Sequence, residues 1–152
     1  MKQLVWLAAL VVLAVGCTPV RGGTPAPPAV PAYEVLQVAG DGGQLNFPRQ
    51  TAQGDVMDAL LVGTLAEVDG CVRVIAETGQ DDYLPIWPPG FALEAIDGVL
   101  AVRDPDGQPL VRLGDTVSLS GGELPEGHAG PQALGCPGQY WLVGSTVGPA
   151  GP

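Results

Sequence analysis

The sequence predicts a mainly β chain folded as a small antiparallel barrel or sandwich. Three observations predict it. Asp69-Gly70 sits between two apolar runs, and a two-residue type I′ hairpin needs two central residues that tolerate positive φ. Val72 and Val74 alternate with Arg73, the period of a half-buried strand. Turn signals then recur roughly every ten residues, with no sustained 3.6-residue period between them. Composition is compatible: 23 glycines and 16 prolines supply turns, while 46% hydrophobic residues argue against a disordered chain.

The elements follow in order. Tyr33–Val38 reads as an edge strand, and the polar stretch Gly40–Gln53 as irregular. Asp55–Val62 has the look of a short capped helix. Leu60–Val68 and Cys71–Glu77 form the first hairpin. Tyr83–Trp87 is a strand stopped by Pro88-Pro89-Gly90, and Pro89–Ile96 reads as a helical turn. Val99–Arg103 and Leu110–Leu113 flank Asp104-Pro105-Asp106-Gly107, a turn with proline and glycine where turns want them. Val117 and Leu119 alternate with Ser118 and Ser120 until Gly121-Gly122 breaks or bulges the strand, and Tyr140–Thr146 closes the series. A long first hairpin, a middle meander and a last strand are similar in outline to an OB-type barrel, which would leave few exposed edges. This single β domain spans residues 33–147, with 148–152 as a frayed tail.

What precedes it is different. Met1-Lys2-Gln3 is a short basic start, and Leu4–Val15 is an uncharged apolar run. A spanning helix needs about 20 such residues, so the run fits a signal peptide better than an anchor. Ala14-Val15-Gly16-Cys17 then places small residues directly before a cysteine. The segment resembles the lipobox of bacterial lipoproteins, with Ala14 where leucine is favoured and Leu13 one position earlier. The resemblance implies cleavage after residue 16 and a diacylglyceryl group on the Cys17 sulfur. Two or more acyl chains anchor stably where one does not. Residues 18–32, TPVRGGTPAPPAVPA, hold five prolines and two glycines and read as an extended tether with a reach of roughly 45 Å. Cleavage also removes Lys2, the only lysine, from a chain already at −10. Anionic headgroups repel such a body, so the expected membrane contact is the lipid at Cys17.

With Cys17 assigned to lipid, Cys71 and Cys136 remain as an even pair, and an extracytoplasmic setting permits a disulfide. Two free buried thiols or metal ligation are the alternatives. The body also carries Gly70-Cys71, Trp87-Pro88-Pro89-Gly90-Phe91, Gly114–Val117 followed by Gly121-Gly122-Glu123, and Cys136-Pro137-Gly138 with Tyr140-Trp141. In these segments it resembles a group of functionally unassigned bacterial envelope proteins. That resemblance covers residues 60–146 and implies a shared fold and a shared disulfide, with no activity attached.

Catalytic signals are sparse. The single histidine, His128, lies in a glycine-rich stretch, and Ser118, Ser120 and Ser145 lack a nucleophile elbow. Sixteen acidic residues make carboxylate pairs common by composition alone. Neither Asp104-Pro105-Asp106-Gly107 nor Asp41-Gly42-Gly43-Gln44 follows the twelve-residue calcium loop, and no phosphate-binding glycine motif occurs. The charge disfavours a nucleic-acid partner. Trp87, Phe91 and Trp141 are expected to fill the core of an aromatic-poor domain; the competing reading makes them a ligand surface. The expected function is therefore a lipid-anchored, cofactor-free binding or scaffolding module for an envelope protein, glycan or small ligand. An envelope hydrolase using His128 with a nearby acid, and a weak divalent-cation binder at Asp104 and Asp106, are the alternatives.

Overall fold

A computed structural model describes residues 33–40, 42–54, 57–79, 81–125 and 134–149. Its ten strands are β1 (Tyr33–Gly40), β2 (Gly43–Gln50), β3 (Ala59–Val68), β4 (Cys71–Ala76), β5 (Asp82–Ile86), β6 (Ala92–Ile96), β7 (Val99–Arg103), β8 (Pro109–Arg112), β9 (Thr116–Glu123) and β10 (Gln139–Pro149). The mainly β expectation holds.

Five strands close on themselves. β4 pairs with β3, β3 with β9, β9 with β10 and β10 with β5, and β5 returns to β4. The β10–β5 contact is parallel and the rest antiparallel. A five-stranded closed ring with one parallel seam is the OB-type arrangement. Asp69 and Gly70 both take positive φ, 51° and 71°, as the predicted hairpin turn requires.

The ring is incomplete between β4 and β5, which pair through Val74↔Tyr83 and Ile75↔Asp82 and then diverge. β2 fills the opening. The Asn46 amide donates to the Gly70 carbonyl at 2.8 Å, the Gln50 amide to the Trp87 carbonyl at 2.8 Å, and the Trp87 amide to the Pro48 carbonyl at 3.0 Å. Pro48 lies between these contacts, where its missing N–H leaves no gap in the ladder. β1 then pairs along the whole outer side of β2, from Tyr33↔Gln50 to Gly40↔Gly43.

β6, β7 and β8 form a second sheet that packs into the first. Leu93, Val102 and Val111 join Leu45, Phe47, Leu61, Leu65, Val72, Val74, Val117, Leu119 and Val143 in one apolar cluster. Phe47, Trp87 and Phe91 stack within it, with centroid separations of 5.3 and 6.1 Å. A smaller second cluster lies on the opposite face of β5 and β10 and joins Leu84, Ile86, Leu124, Leu134, Tyr140 and Leu142 to the two bonded cysteines. The parallel pair is therefore buried on both faces.

Five sequence expectations need correction. Gly40–Gln53 is not irregular, because Leu45 and Phe47 alternate with Gln44 and Asn46 and bury completely in β2. The helix expected over Asp55–Val62 is absent where the chain is described. β3 begins at Ala59, and the two-residue alternation of exposed Leu60 with buried Leu61 matches its pairing to β9. The helical turn at Pro89–Ile96 gives way to β6 after Gly90, and Asp97-Gly98, with φ 53° and 81°, turns it into β7. Gly121-Gly122 does not end β9. The register irregularity falls on the partner strand between Val143 and Val147. A Cβ at Gly121 would stand 2.0 Å from the Leu142 carbonyl oxygen, so glycine there permits the close approach of β10. β10 also runs to Pro149, into the stretch read as a tail.

Candidate functional site

OB-type barrels bind oligonucleotides and oligosaccharides on the face of their second and third strands, between the first-hairpin loop and the last inter-strand loop. Here those strands are β4 and β5, and the loops are Asp69-Gly70 and the β9–β10 connection. Residues of that connection lie across the face and are tied down.

The first tie is covalent. Cys71, at the start of β4, is bonded to Cys136, with Cα atoms 6.1 Å apart and both side chains buried. The second is Arg73, whose side chain points to the same face as Cys71. Its guanidinium donates to the Pro137 carbonyl and lies 3.5 Å from the Asp82 carboxylate. Gly138 passes so close that a Cβ there would fall 2.8 Å from an Arg73 terminal nitrogen. The third tie is the Tyr140 hydroxyl, which donates to the Cys136 carbonyl at 2.6 Å. Burial raises the Tyr140 pKa above its ordinary value near 10, opposed in part by the positive charge of Arg73. Arg73 is 5% exposed and its Nε has no hydrogen-bond partner. The guanidinium thus holds a loop against the barrel.

Gln50 closes the neighbouring corner. Its side-chain amide donates to the Val143 carbonyl at 3.2 Å, and its oxygen accepts from the Gly54 amide at 3.1 Å. On the other side of β2, Arg49 pairs with Glu34 at 2.5 Å and donates to the Phe91 carbonyl at 2.9 Å, joining β1, β2 and the approach to β6.

The predicted site residues separate accordingly. Cys71 and Cys136 come together. Trp87, Phe91 and Trp141 do not form a ligand surface; they are 0%, 9% and 6% exposed and belong to the main core. Aromatic side chains are the largest apolar volume available to a domain with few of them, and the ring interior consumes it. Cys17, Asp41 and His128 lie outside the described residues. Asp104 is engaged in its own turn, accepting the Gln108 amide at 2.8 Å, while its backbone accepts the Gly107 amide at 3.0 Å. Among the described residues no group of three or more His, Cys, Asp or Glu side chains is placed to hold a metal ion. None of their helices is long and apolar enough to cross a membrane.

Sequence reasoning missed Arg73 as a buried group. The alternation Val72-Arg73-Val74 assigns it to a solvent face, and nothing local signals that Pro137-Gly138 crosses that face. Glycine beside proline, next to a cysteine that bonds to Cys71 two positions before Arg73, is the available hint. Compared with protein-family models, curated proteins and solved structures, the chain matches none.

Proposed function

We propose that the chain is a lipid-anchored, extracytoplasmic β-barrel module that binds or scaffolds rather than catalyses. The observation that carries the reading is the Cys71–Cys136 disulfide, which is consistent with an oxidising, extracytoplasmic location. It leaves Cys17 as the odd cysteine, immediately after a lipobox-like run. On the β4–β5 face Arg73 and Tyr140 hold carbonyls of the chain's own β9–β10 connection, a structural use of these polar side chains.

Intact mass spectrometry of the protein extracted from bacterial membranes tests this reading. The expected mass is that of residues 17–152 plus acyl chains, with a gain of two hydrogens on reduction. A Cys17→Ala variant is expected to lose the acyl mass and leave the membrane fraction. An unacylated wild-type species, or free thiols at Cys71 and Cys136, would overturn the anchor or the location respectively.

A further inference from the structure

Closing a sheet into a barrel removes its edges, yet this chain restores one. Every strand of the ring has a neighbour on each side, but β1, at the end of the sheet order, pairs with β2 alone among the described residues. The backbone geometry says which groups it leaves free. Gly40 and Gly43 flank a two-residue turn, so they form a hydrogen-bonded pair, and pairs alternate from there. Val38, Leu36 and Glu34 therefore bond to β2. The amides and carbonyls of Ala39, Gln37, Val35 and Tyr33 point away from it. The β2 side agrees: Asn46 and Gln50, opposite Gln37 and Tyr33, direct their amides away from β1 and onto Gly70 and Trp87.

Natural edges are usually guarded by lysine, proline, a bulge or an inward charge. β1 has none of these over its eight residues, YEVLQVAG, and its register to β2 is unbroken. Its one charge, Glu34, is already neutralised by Arg49. β6 approaches β1 across the core face but shares no ladder with it. Leu36 and Val38 pack inward, and among the described residues Gln37 and Ala39 are left exposed.

The occupant follows from chain composition and charge. A second copy brings another −10 of formal charge to the same place. Of the chain's six basic residues, Arg49, Arg73 and Arg103 already face carboxylates, so the uncompensated surface charge is negative. We propose that the outer edge of β1 is a strand-addition site for an extended, lysine- or arginine-bearing segment of a partner protein. Main-chain hydrogen bonds to residues 33–39 supply the affinity, and the net negative charge of the chain as a whole favours a basic segment. The proposal rests on the reading of the domain as a binding module and not on its anchor.

The test uses the full chain in mild detergent and a capped octapeptide alternating threonine and lysine, followed by fluorescence anisotropy and amide shift mapping. Saturable binding with shifts centred on Tyr33–Ala39 is expected. Methylating alternate peptide nitrogens is expected to weaken it about tenfold or more, the loss of one to two hydrogen bonds' worth of free energy. Gln37→Pro removes an outward amide that β2 does not use and is expected to weaken binding by a similar factor with circular dichroism unchanged. If that variant misfolds, Gln37→Lys is read instead, with affinity shifting from the lysine peptide toward its glutamate analogue. Equal binding by wild type and the folded edge variant, indifference to N-methylation, no binding at millimolar peptide, or a wild-type dimer that Gln37→Pro dissociates would each overturn the proposal. Because every measurement is made on the domain whether or not Cys17 is acylated, its failure and failure of the anchor are read separately.

Discussion

Inside the ring, Leu65, Val72, Val74, Val117 and Leu119 meet side chains from neighbouring strands, and the second sheet adds Leu93, Val102 and Val111. On the outer face of β5 and β10, Leu84, Ile86, Tyr140 and Leu142 are nearly as well buried, but under a short segment around Leu134–Gly138 and the ends of β1 and β3. The inner core is closed by geometry: alternation sends every second residue to one place. The outer core is closed by attachment, through a disulfide, a guanidinium on a carbonyl and a hydroxyl on a carbonyl. The comparison teaches that a small barrel can bury a second face without a second layer of secondary structure, provided that the cover is fastened rather than merely packed.

The largest break in that comparison comes from the fastener. Cys71→Ser with Cys136→Ser is expected to cost about 4 kcal/mol by the loop-entropy relation for a separation of 65 residues, read from chemical denaturation. Next, Leu65→Ala in the inner core and Leu84→Ala in the outer one should each cost about 3 kcal/mol with the disulfide intact. In the reduced protein the Leu84→Ala cost should fall by about 1 kcal/mol or more while that of Leu65→Ala stays put, and a double-mutant cycle measures the difference. Equal behaviour of the two leucines would show that the outer cover stays down without its bond. Arg73→Ala, which leaves the Pro137 carbonyl without its donor, is expected to cost about 1 kcal/mol and to speed amide exchange at Gly138 and Gln139. The smallest effect is alkaline. Burial raises the pKa of Tyr33, Tyr83 and Tyr140, so their neutral forms are favoured in the folded state. That stability is fully present below pH 10 and is lost as pH rises through the raised values. Tyr140→Phe should flatten part of this alkaline decline, at a cost of about 1 kcal/mol near neutrality for the hydrogen bond to Cys136.

Much of the inner core was legible because its signals are local. Asp69-Gly70 marks its turn by φ alone, and Val117 and Leu119 show their period within four residues. β2 was hidden because Gln44, Asn46 and Gln50 make it look polar, although Asn46 and Gln50 sit in a seam where amides are wanted. β6 was hidden by the prolines before it, although Asp97-Gly98 carried the same turn signal as Asp69-Gly70. Of the candidate site, the cysteine pairing could be reasoned from parity and compartment. The burial of Arg73 could not, because it depends on Pro137 and Gly138, more than sixty positions away. The aromatic residues were ambiguous for a related reason: tryptophan in a strand looks alike whether its face turns to the ring interior or to solvent.

The seam filled by β2 has a consequence for the order in which this molecule can form. β2 precedes β4 and β5 in the chain, yet it has nothing to lie between until both exist, and the ring they begin is shut only by β10, the last strand. The oxidant that joins Cys71 must likewise wait for Cys136. The ring is therefore complete only when the last strand is in place. High contact order of this kind places folding in the millisecond-to-second range rather than the microsecond one. A truncation that removes β10 should therefore leave a collapsed, protease-sensitive chain rather than a smaller barrel.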